Sequence, residues 1–79
     1  MNNFIADHLL KLKNRNFLYP EVELKALFNY SSVKNEEVFF SNFEINQIDL
    51  IKFKSIFKRR ISHEPISKIF NNKEFWSYD

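Results

Sequence analysis

Glycine is missing from all 79 residues of this chain. Any backbone position that needs a positive φ must therefore be filled by asparagine or aspartate, the next most tolerant residues. A glycine-rich loop that cradles phosphate is excluded as well. Cysteine is also absent. No disulfide staples the fold, no thiolate metal site exists, and packing alone must supply stability. Uninterrupted apolar runs stop at two or three residues, so neither a membrane-spanning helix nor a signal-peptide core is expected. The formal charge is only +2, with a pI near 9.0. That is too slight to point to nucleic acid by itself. These absences together predict a soluble, cytoplasmic, single-domain protein.

What is present favours a core. Hydrophobic residues make up 44% and aromatics 18%, ten of them Phe. Such a composition folds rather than staying disordered. Ile5, Leu9 and Leu12 are spaced four and three apart, and Leu10 lies beside them. This predicts an amphipathic helix over 3–15, with Lys11, Lys13 and Arg15 at its C-terminal end and Asn16 as a left-handed cap. Pro20, Glu21 and Glu23 suit the first turn of a second helix over about 20–31. Its apolar face comprises Val22, Ala26, Tyr30, Leu24, Leu27 and Phe28. Asn35 is expected to cap a short helical turn that carries Val38, Phe39 and Phe40 inward.

The strongest pattern is FEINQIDLIKFKSIFKRRISH. Asn46 and Asp49 resemble a capping box that opens a helix over about 47–62. Leu50, Phe53, Phe57 and Ile61 line one stripe, widened by Ile48, Ile51 and Ile56. Pro65 disfavours helix at the residue before it and opens a short helix, PISKIF. Asn71 and Asn72 then close that helix or make a turn, and KEFWSYD reads as extended. The expected architecture is all-α, a small bundle of four to five helices with an extended C-terminal segment.

No catalytic constellation stands out. His8 and His63 fall on separate segments and lack metal-ligand spacing. The cluster KFKSIFKRR has two readings. It is either the solvated face of an amphipathic helix or a basic face, Lys52 to Arg60, that meets RNA or an acidic protein. Arg60 stands apart from the other charges because it lies beside Ile61 on the buried edge. Glu64 or Glu74 is its expected partner. Phe39, Phe40, Phe43, Phe53 and Phe57 fit core packing better than base stacking.

The segment RRISHEPISKIFNNKEFW carries a more specific pattern. Arg59-Arg60, Glu64-Pro65, Ser67, Ile69-Phe70 and Glu74-Phe75-Trp76 resemble the N-terminal domain of the HemK/PrmC family. These are methyltransferases that modify the glutamine of the GGQ motif in peptide-chain release factors. Pro20, Glu23 and Leu27 match the family's second helix. The family's glycines fall at Asn16 and Asn71, both expected helix ends, and Lys68 replaces a family tyrosine. The resemblance implies a helical recognition domain over 1–71, with 72–79 beginning a hairpin toward a catalytic domain that binds S-adenosylmethionine. This fragment itself would hold no cofactor and catalyse nothing. Its partners would be class I release factors and its own catalytic domain, and it would be a monomer. Nucleic acid is the less favoured partner. Contact residues are expected around Glu36, Glu37, Lys52 and Arg59. The alternative is a free-standing helical module that binds protein or RNA through the Lys52–Arg60 face.

Overall fold

The computed structural model describes residues 2–70. Asn71, Glu74, Phe75 and Trp76, and the extended segment expected over 72–79, lie outside the described residues. The described chain forms four α-helices: α1 (Asn3–Asn14), α2 (Pro20–Tyr30), α3 (Leu50–Ile61) and α4 (Ile66–Phe70). Two 3-10 turns, Phe40–Asn42 and Ile45–Gln47, punctuate the link between α2 and α3. Among the described residues the β-type pairing is a single antiparallel bridge, Ser32 with Ile48.

Each helix forms for a local reason and is held by its apolar stripe. The Asn2 side chain accepts from the Phe4 N–H at 2.7 Å and opens α1. Ile5, Leu9 and Leu12 turn that helix inward. At its end, Asn16 takes φ 67°. The Asn16 N–H donates to the Lys13 carbonyl and the Phe17 N–H to the Leu12 carbonyl. That pair of bonds is a Schellman motif, normally completed by glycine and here by asparagine. Pro20 opens α2 as the sequence predicts, and Leu24, Leu27 and Phe28 bury fully.

The start of α3 differs from expectation. The helix begins at Leu50, and its cap is Asp49, which accepts from the Lys52 N–H at 3.1 Å. Asn46 does not cap it, because residues 45–47 are already committed to a 3-10 turn in which the Glu44 N–H donates to Gln47. Ile51, two residues before the buried Phe53 and so on the opposite side of the helix, points to solvent at 84% exposure instead of widening the buried stripe. Val22 is likewise exposed, outside the face that α2 packs. No helix forms over 36–39. Asn35 occupies the left-handed region at φ 60°, closing a turn rather than opening a helix. Val38 still buries, its N–H donating to Asn29 at 2.8 Å, but Phe39 stays out.

The core is a stack of rings. Phe28 lies 4.6 Å from Phe43, almost parallel, and Phe4 and Phe53 close around them. Aromatic pairs at these separations add about 0.5–1.5 kcal/mol each beyond their buried area. Ile56, Phe57 and Ile69 complete the core. Packing therefore claims Phe43, Phe53 and Phe57, and stacking on a nucleic acid would need them exposed.

Candidate functional site

Two charged regions lie on either side of α3. The first is built from the sequence motif. Arg60 aims its guanidinium at Glu23 on α2, with Nε and Nη2 donating to the two carboxylate oxygens at 2.8 and 2.9 Å. Its Nη1 donates to the Glu64 carbonyl at 2.8 Å. The side chains of this pair are only 17% and 20% exposed, so bidentate geometry matters more than at an open surface. Arg59 turns the other way and clasps the Glu64 carboxylate through Nε, at 2.9 Å, and Nη2. That bond holds the Glu64 carboxyl below its usual range.

The chain can make this corner because α3 ends in a second Schellman motif. His63 sits at φ 68°, its N–H donating to the Arg60 carbonyl while the Glu64 N–H donates to that of Arg59. Pro65 then starts α4, and its carbonyl accepts from Lys68 and Ile69. The His63 ring stacks on Phe17 at 4.6 Å and 10°. Arg60 covers Phe17 at 4.9 Å. One corner thus joins the caps of α1 and α3, the body of α2 and the start of α4.

The expected partner of Arg60 is corrected in part. The carboxylate it meets is Glu23, and Glu64 supplies a backbone oxygen; the Glu64 carboxylate belongs to Arg59. Sequence order hides this, since Glu23 and Arg60 are 37 residues apart. The one available signal was Glu23, an acid beside the buried Leu24 on the inner edge of α2.

The second region is a groove of about 540 Å³ between α1 and α3. From α1 and its C-cap come His8, Lys11, Asn14 and Arg15, and from α3 come Lys54, Phe57, Lys58 and Ile61. The Arg15 guanidinium reaches the Ile61 carbonyl at 3.2 Å and closes one end. His8 lies on the floor. Its Nδ1 is 2.7 Å from the Phe4 carbonyl and serves there as an N–H donor. Edge contacts with Phe53 and Phe57 surround the ring. Burial pushes its pKa down, and the neighbouring Lys11 and Lys54 push the same way.

The remaining expected contact residues do not gather in one place. Glu37 pairs with Lys25 at 2.7 Å, drawing the α2–α3 link onto α2. Glu36 donates its N–H to the Ser32 hydroxyl in the same link. Lys52 lies over the Tyr30 ring at 4.6 Å. The basic run from Lys52 to Arg60 is thereby divided. Lys54 and Lys58 border the groove, while Arg59 and Arg60 form the clasp. Among the described residues no helix is long and apolar enough to cross a membrane. No group of three or more His, Asp or Glu among them has the arrangement to hold a metal ion.

Compared with known proteins, the chain is 29% identical to a bifunctional methyltransferase of Rickettsia bellii (strain RML369-C) over a 79-residue alignment. That alignment covers 98% of this chain and 14% of the other protein, so the chain spans a small part of that relative's length. No family model matches the chain. No solved structure matches it significantly. The chain is thus similar in sequence, along nearly its whole extent, to a small part of a methyltransferase.

Proposed function

We propose that this chain is the N-terminal recognition domain of a release-factor glutamine methyltransferase of the HemK/PrmC type. In this reading it works in the cytoplasm, binds a class I peptide-chain release factor, and helps present the GGQ glutamine to a catalytic domain elsewhere in the parent protein. The observation that carries the reading is the overlap of motif and architecture. Of the residues that resemble the family, Arg60 binds Glu23 on α2 and the Glu64 carbonyl, Arg59 binds the Glu64 carboxylate, and Pro65 opens α4, so the motif forms the corner where α2, α3 and α4 meet. The methyltransferase relative, matched along nearly all of this chain but little of its own length, supports a part of such an enzyme.

S-adenosylmethionine would be the parent's cofactor. The residues of this chain do not fit it. There is no glycine where a backbone must approach a nucleotide closely, and the described fold is helical with no parallel sheet to carry such a loop. The role left to the chain is binding and positioning.

Titration of the isotope-labelled chain with a class I release factor tests this. Shifts confined to one surface are expected. Silence across the spectrum, under conditions where a full-length enzyme of this type still binds, would remove the recognition role.

A further inference from the structure

The groove between α1 and α3 is not used by anything in the clasp, and its chemistry is one-sided. Lys11 on α1 and Arg15 at its C-cap stand four residues apart, as do Lys54 and Lys58 on α3. Side chains at that spacing share a helix face, so the groove has two cationic walls. Among the described residues no carboxylate lines it. The three ion pairs formed among the described residues are Lys25–Glu37, Arg59–Glu64 and Arg60–Glu23, none of them in the groove. Its floor is apolar, made of Phe57, Ile61 and the His8 ring.

We propose that this groove docks an acidic segment of a partner protein, with carboxylates along both cationic walls and an apolar side chain on the floor. Charge complementarity selects the occupant. Four exposed cations around a concave surface attract anions and orient them. The floor argues for peptide over nucleic acid. Single strands gain affinity by stacking bases on exposed rings. Phe57 is 6% exposed and presents no ring face for that purpose. A peptide needs no ring face: its carboxylates meet the walls, and an apolar side chain rests on the part-exposed Ile61 and His8. The proposal deepens the recognition reading by naming a surface, and it rests on that reading only for which protein supplies the segment.

The test uses the labelled 79-residue chain and a synthetic helical peptide with glutamates at every fourth position beside leucines, at low salt. Shifts are expected at Lys11, Arg15, Lys54, Lys58 and the His8 ring. The double substitution Lys54→Gln and Lys58→Gln should weaken binding about tenfold with an unchanged melting curve, as expected for two partly exposed charge contacts. Lys34→Gln, exposed on the α2–α3 link, should change nothing. A glutamine-for-glutamate peptide should not bind. The proposal is overturned if the acidic peptide shifts residues elsewhere or none, if the double variant binds as tightly as the parent, or if a thymidine oligonucleotide of equal charge binds the groove more tightly than the peptide. Peptide binding without release-factor binding would uphold the groove and overturn the release-factor reading. Release-factor binding with a silent groove would do the reverse.

Discussion

The clasp and the groove flank the same helix, yet they use its cations in opposite ways. Arg59 and Arg60 are each committed to a glutamate through two nitrogens, and both are largely shielded. Lys58, immediately before Arg59, and Lys54, one turn before that, border an opening lined by no acid among the described residues. The residue types suit the two tasks. A planar guanidinium gives directional, bidentate bonds that fix a corner, whereas an ammonium on a flexible stem serves as a mobile point charge. A basic helix is therefore not a uniform binding face. Part of its charge is consumed by the fold, and the remainder is available to a partner.

Substitutions can break this contrast. Arg60→Met should have the largest effect, about 2 kcal/mol of lost stability measured by urea unfolding, since it strands the shielded Glu23 carboxylate. A double-mutant cycle with Glu23→Gln should recover much of that cost; strict additivity would mean that the pair contributes nothing. Asn16→Ala should cost about 1 kcal/mol because alanine resists the left-handed conformation that asparagine tolerates. The melting temperature of Asn16→Gly should be equal to or above that of the parent.

Acid titration separates the two regions by window. His8 has a lowered folded pKa, so the unfolded chain takes up its proton first. Stability should start to fall as the pH drops below the ordinary histidine value of 6.5. Glu64 also has a lowered folded pKa, and the unfolded carboxyl protonates before the folded one. Its contribution is complete above its ordinary value of 4.5 and is lost as the pH falls through the folded value. His8→Gln should abolish the upper step and Glu64→Gln the lower, read as the pH dependence of the unfolding midpoint. The smallest effect belongs to Lys54→Gln with Lys58→Gln, which should change stability by less than about 0.5 kcal/mol. A large loss there would mean that the groove lysines are structural after all.

Much of this was legible in the sequence, for identifiable reasons. With no glycine available, Asn16 was a natural left-handed cap, and it fills that position. The spacing of Phe53, Ile56 and Phe57 marked the inner face of α3 correctly. The cap of α3 was misplaced because Asn46 and Asp49 are both good caps, and the 3-10 turn that decides between them depends on Gln47 reaching back to Glu44. The left-handed His63 was hidden by Pro65, which offers a sufficient local reason for the helix to end. The clasp and groove were the hardest to see. Each joins residues from helices distant in sequence, and helix periodicity states which face is polar but not which polar faces will meet.

The most direct test of the account is a residue-by-residue map of the labelled chain bound to a class I release factor. The account predicts shifts concentrated along the groove, at Lys11, Arg15, Lys54 and Lys58, with Glu23, Arg60 and Glu64 unmoved. Shifts centred on the clasp with a silent groove, or a saturated complex that perturbs neither, would contradict it.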